Sequence, residues 1–266
     1  MEMLQYAFMQ KALLAGLLVA VICPIMGMFI VIRRQSMMGD GLGHIAFAGV
    51  AGASLLGIAP VWGAMVLTVG AAAGIELLRR RYSQFADMSL ALFFYAGLAM
   101  AVVCSTLSNM PSAGILSFLF GSILTATWES IAQIGIAAVL IIGLFLWKWP
   151  DLLLASFDTE VAEAAGIRTE RIHMIFSILT ALVVVTGMSI VGILLISAMM
   201  IIPVAAAHLW KTGFKTTLYI AVAYSVTAMC LGLWGAFAFD LAPGGSIVLT
   251  ALLLYVATMF GIMAIK

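Results

Sequence analysis

The sequence predicts an all-α, polytopic transmembrane helical bundle of about nine spans, with eight as the fallback count. Three observations support this. Mean hydropathy is +1.23 over 266 residues, with 65% hydrophobic and 9% charged side chains, more apolar surface than a globular core can hide from water. Several runs reach the roughly 20 apolar residues that cross a bilayer, where backbone polar groups must be satisfied inside helices. Lys and Arg gather at alternate ends of those runs, as the positive-inside rule requires. The chain, 1–266, reads as one transmembrane domain with a polar segment at about 150–171.

Apolar run length places the spans at 8–32, 40–58, 61–78, 88–108, 130–148, 172–189, 191–210, 216–238 and 245–264. The first follows Met1–Gln10, which carries Glu2 and no basic n-region. Its run from Ala12 to Ile32 is too long for a signal-peptide core, so it is expected to stay in the protein. The second holds an acid and an imidazole. The third carries Gly70 and Gly74, a GxxxG packing pair, and Glu76, whose spacing to Arg79 and Arg80 reads as an interfacial ion pair. Asp87 and Glu129 open the fourth and fifth as end-capping, solvated acids. Only Gly187, Ser189 and Gly192 interrupt the sixth and seventh. Asp240 lies in the connection between the last two. Pro24 and Pro203, inside spans, are expected to kink their helices.

Orientation follows from Arg33 and Arg34, Arg79 to Arg81, Lys148, Lys211 and Lys215, and Lys266, all at ends assigned to the cytoplasm. The opposite connections, Ile58–Pro60, Asn109–Trp128 and Asp240–Ser246, contain no Lys or Arg. The N-terminus is therefore expected outside and the C-terminus inside, with Lys11 snorkelling. A net charge of +1 without a basic, aromatic-interleaved tract excludes nucleic acid as a partner. Cys23, Cys104 and Cys230 are scattered and unpaired in sequence, so they read as packing residues. The 18 methionines are spread through every span and read as apolar filler.

Asp40 and His44 sit inside the second apolar run. A charge at the centre of a transmembrane helix costs roughly 2.5 to 3.5 kcal/mol and normally faces a bundle interior or a polar path. The i, i+4 spacing puts both side chains on one helix face, where a carboxylate oxygen and a neutral ring nitrogen can converge on a divalent cation. A structural hydrogen bond between them is the competing reading. If both face a two-fold axis, two copies supply two carboxylates and two imidazoles, a set that admits zinc or manganese. His173 and His208 read as interfacial packing residues.

The polar segment Trp149–Arg171 contains Phe157-Asp158-Thr159-Glu160, with Asp158 as an expected N-cap and Gly166 as a helix stop. Its small residues before a glycine suit docking in another protein's groove. A solvated surface connector is the alternative.

Gly39-Asp40-Gly41-Leu42-Gly43-His44, Leu119-Phe120-Gly121-Ser122, the Phe157–Gly166 segment, and Val191 to Ala198 through Ile202-Pro203 together resemble the permease subunits of bacterial zinc and manganese ABC importers, over nearly the full length. The resemblance implies a fold similar to that of the vitamin B12 and iron-siderophore ABC permeases. It implies a homodimer in the bacterial cytoplasmic membrane, bound to a cytoplasmic ABC ATPase dimer and fed by an extracytoplasmic metal-binding protein. Asp40 and His44 match the family's metal motif. Gly41 and Gly43 stand where relatives often carry side chains, which suggests a close helix approach. Phe157, Asp158, Glu160, Ala162, Ala165 and Gly166 fall in its ATPase-coupling segment. The cargo is Zn2+ or Mn2+, with no permanently bound cofactor. The chain has no Walker motif, so it is read as a transport subunit rather than an enzyme, with ATP hydrolysis in a separate chain. Two other classes remain: a proton-coupled secondary metal transporter using the pair as a relay, and a membrane assembly subunit in which the pair only fixes packing.

Overall fold

The computed structural model describes residues 7–82, 86–108, 117–121 and 127–265. Among these residues there are helices and turns but no strand. In chain order the helices are α1 (Ala7–Ile32), α2 (Met38–Leu55), α3 (Pro60–Arg81), α4 (Ala86–Leu107), α5 (Trp128–Phe157), α6 (Thr159–Ala164), α7 (Thr169–Val191), α8 (Ile193–His208), α9 (Phe214–Phe239) and α10 (Pro243–Ile265). All except α6 match an expected span. The expected count of about nine is nevertheless corrected, because among the described residues seven helices are long and apolar enough to cross a membrane. Helix α8 is a shorter apolar helix of 16 residues, about 24 Å at 1.5 Å per residue. Helix α2 has 18 residues, but Asp40, His44 and its glycines dilute its apolar content, and it is not among the seven.

Contacts gather into two compact units. The first comprises Met1–Val31, Leu116–Ile136 and Thr186–Lys266. In it the backbone of Gly27 on α1 lies so close to Met200 on α8 that any Cβ would collide with the Met200 carbonyl. Phe29 meets Phe214 edge-on at 5.4 Å. Helix α8 packs against α9 and α10, and the Tyr224 hydroxyl lies 2.6 Å from Thr258 Oγ1 between those last two. Pro24 and Pro203 sit inside α1 and α8 as the sequence places them. The break between α7 and α8 falls at Gly192, whose φ of +83° favours glycine. A Cβ there would lie 2.5 Å from the Phe120 carbonyl carbon. Two separate motifs, Leu119-Phe120-Gly121 and Val191-Gly192, thus meet backbone to backbone. Ser122 lies outside the described residues.

The second unit comprises Ile32–Ile115 and Ala137–Val185. Here α2 packs against both α3 and α4. A Cβ on Gly49 of α2 would stand 2.5 Å from the Gly63 carbonyl oxygen of α3, the near-backbone contact that small residues permit between membrane helices. The expected Gly70/Gly74 pair does not act as one contact. Gly74 abuts the Phe93 ring, whereas among the described residues nothing beyond the adjoining turns of α3 itself lies within 4 Å of a Cβ built on Gly70. Helix α5 bends at Lys148 (φ −110°, ψ 19°), where the fifth span was expected to end. Pro150, two residues on, has no N–H to continue the ladder.

Candidate metal path and coupling segment

The site begins with the start of α2. The Met38 N–H donates to the Gln35 carbonyl at 2.8 Å and the Gly41 N–H to the Met37 carbonyl at 2.9 Å. The helix is therefore already wound where Asp40 and His44 occur, one turn apart on one face. Both side chains are half-buried. The His44 ring packs edge-on to Phe94 of α4 with centroids 5.0 Å apart, which fixes the ring plane. Its Nδ1 is buried and has no hydrogen-bond partner among the described residues, so the chain leaves the hydrogen-bonding capacity of that nitrogen unused. Among the described residues, no group of three or more His, Cys, Asp and Glu could hold a metal ion. A Cβ on Gly41 would make only ordinary contacts at 3.9 Å with Leu90 and Phe94, so the close approach suggested for this glycine is not present.

A buried polar cluster that the sequence did not reveal lies just before α2. Arg33 Nη2 donates to both carboxylate oxygens of Glu76 at 3.1 Å, and the two side chains are only 5% and 10% exposed. Ser177 Oγ donates to Glu76 at 2.9 Å. Arg79 Nη1 stands 3.6 Å from Glu76, and His173 Nδ1 stands 3.8 Å away. Burial pushes the Arg33 guanidinium down to about 10, against the opposing pull of Glu76, so it remains a cation at neutral pH. Its plane also lies over the Phe176 ring at 5.3 Å. The buried Gln35 amide is placed to accept from Arg79. Glu76 therefore ties α3 and α7 to the α1–α2 connection, from which Asp40 follows. The expected i, i+3 pair with Arg79 is present, but Arg80 turns instead to Glu170. The sequence signal was an acid near the end of a span, at the same depth as Arg33 after another.

The coupling segment forms as its end residues dictate. The Asp158 side chain accepts from the Val161 N–H at 3.0 Å, capping α6. Gly166 takes φ +79°. The Gly166 N–H donates to Glu163 O and the Ile167 N–H to Ala162 O, the paired bonds of a Schellman stop. Phe157, Asp158, Glu160, Ala165 and Gly166 are exposed, whereas Ala162 is turned inward and fully buried. Val161, which the sequence did not single out, is half exposed. Thr169 Oγ1 donates to Glu163 at 2.7 Å, and His173 Nε2 lies 3.2 Å from Ala155 O. The segment is thereby fastened to α7, which is itself joined to the end of α5. His208 is exposed in the last turn of α8.

Residues 5–262 match the model of the ABC 3 transport family. The chain is 34% identical over 259 residues to the manganese import system permease protein ScaB of Streptococcus gordonii, covering 96% of this chain and 91% of that one. It is 33% identical over 263 residues to the manganese transport system membrane protein MntC of Halalkalibacterium halodurans, covering 97% and 89%. Among solved structures, PsaBC from Streptococcus pneumoniae in complex with Fab superposes with a TM-score of 0.85 at 30% identity, over 96% of this chain and 92% of that one. With its membrane-length helices and a family match spanning almost its whole length, the chain belongs to the ABC 3 transport family and is a multi-pass membrane protein.

Proposed function

We propose that the chain is the permease subunit of an ATP-driven importer of manganese or zinc, in which Asp40 and His44 from two copies form the transport site. The observation that carries this reading is the His44 Nδ1, buried, oriented by Phe94 and unpartnered one turn from a half-buried carboxylate. One chain supplies only two such donors, and a two-fold partner doubles them to a four-ligand N and O site. The donor chemistry suits both metals, and the manganese names of the relatives favour manganese. An extracytoplasmic binding protein delivers the ion, and a separate ATPase dimer docks on the exposed face of the Phe157–Gly166 segment.

Radiolabelled manganese and zinc uptake into vesicles holding the complete transporter tests the site. Asp40→Asn and His44→Ala are each expected to cut uptake at least about tenfold, as even supporting residues of metal sites do, with ATPase co-purification unchanged. Near-normal uptake by both variants eliminates the pair as the transport site.

A further inference from the structure

A cleft of about 450 Å³ runs between the second half of α5 and the first half of α7. Its floor is apolar, with Phe145, Ile175, Phe176 and Leu179 among the lining residues. Its other end carries Lys148, Arg168 and Arg171, against Asp151 alone. Apolar Leu152, Ile167 and Ile172 also line it near those charges, but beyond Ile172 the lining from α7 is wholly apolar. Leu179 lies eight residues beyond Arg171, about 12 Å along α7, on the side leading into the apolar span.

Two of the cations at the mouth, Arg168 and Arg171, are available to a ligand. Asp151 is occupied by Lys148 at 3.0 Å, Glu170 by Arg80, and Glu163 by Thr169. Among the described residues no acid pairs with Arg168 or Arg171, both of which are exposed. The mouth also sits at the depth of a bilayer surface. Trp147 is 75% exposed beside Lys148, whose ammonium lies 5.3 Å from the indole, and tryptophans with basic residues mark the headgroup level on the positive-inside face. The bend at Lys148 and Pro150 turns α5 at this level.

We propose that this cleft is a binding site for one anionic phospholipid of the cytoplasmic leaflet. The phosphate lies against Arg168 and Arg171, and an acyl chain lies along Ile175, Phe176 and Leu179. An inorganic phosphate would leave the apolar floor uncovered, and a zwitterionic lipid would leave the surplus positive charge unmatched. Basic pockets between membrane helices on this side recognise acidic headgroups by the same chemistry.

Native mass spectrometry of the complete transporter in mild detergent tests this. The preparation is supplied with phosphatidylglycerol, with phosphatidylcholine of the same chains, or with phosphatidylglycerol plus excess inorganic phosphate. Phosphatidylglycerol is expected to be retained in preference to phosphatidylcholine and not to be displaced by phosphate. The double variant R168Q/R171Q is expected to lower its retention about thirtyfold, the combined effect of two interfacial cations. Ile175→Trp, which fills the floor and keeps both arginines, is expected to lower it as well. Equal retention of phosphatidylcholine, displacement by phosphate, or undiminished retention in both variants overturns the proposal. So does retention by the permease alone that vanishes in the complete transporter, which would make the cleft part of the ATPase contact.

Discussion

Glu76 is a buried carboxylate held by Arg33, Ser177 and Arg79, with His173 beside it. Removing one partner of such a buried pair leaves the other charged and unsolvated, which costs about 3 to 5 kcal/mol, whereas replacing both by apolar groups is often neutral. Arg33 makes that asymmetry acute, since its Nη1 is already buried without a partner among the described residues. Glu76→Leu is therefore expected to lower the unfolding midpoint of the purified permease by several degrees. Adding Arg33→Met is expected to recover part of that loss. A double variant as unstable as the sum of the two single ones would mean that the pair is not the unit of stability. The sequence showed only the local half of this cluster, the Glu76–Arg79 spacing. The tighter partner lies 43 residues away, and no periodicity announces a contact at that separation.

At the scale of elements, α6 is the clearest case of local chemistry fixing local structure. Asp158 and Gly166 start and stop it by bonds within a few residues, so both ends were legible. Which face points outward was not. Ala162 is buried within the chain, while Val161 and Ala165 face out. The informative variants for docking are therefore Val161→Glu and Ala165→Glu, which put a charge where a partner would have to desolvate it. Both are expected to reduce co-purification of the ATPase while leaving the permease's own thermal stability unchanged. Full assembly with ATP-coupled transport in both variants would make the segment an ordinary connector. Ala162→Glu would disturb the chain's own packing and say nothing about docking. Span length divides in the same way. Composition marked the apolar stretch of α8, but its start depends on Gly192, whose left-handed backbone fits against Phe120 and Gly121.

At the scale of the whole molecule, an importer and an exchanger differ in their source of energy. The chain carries a capped, exposed segment suited to docking but no Walker motif, so metal flux is expected only with a partner ATPase and hydrolysable ATP. A secondary exchanger using His44 as a proton carrier would instead run on a gradient, because an imidazole changes charge near neutral pH. Reconstituting the permease with its binding protein, with and without the ATPase, separates these readings. The measurement is flux under ATP, a nonhydrolysable analogue, or an imposed proton gradient. Sustained gradient-driven flux without the ATPase would reject the importer.

The sequence by itself determined the membrane class, the order of the helices, the ends of α6 and the i, i+4 placement of Asp40 and His44. Each of these rests on a local cost: apolar surface in water, an unsatisfied backbone group, a glycine-only φ, or the helical repeat. Tertiary structure alone decided that Phe94 fixes the His44 ring, that Arg33 and not Arg80 answers Glu76, that Gly49 and Gly63 set the α2–α3 approach, and that Phe120-Gly121 lies on Val191-Gly192. Those choices join residues from about 14 to about 72 positions apart, and only the packing of whole helices brings them within reach. A buried charge demands a partner wherever it sits, but sequence spacing can nominate only the partners within a turn of it.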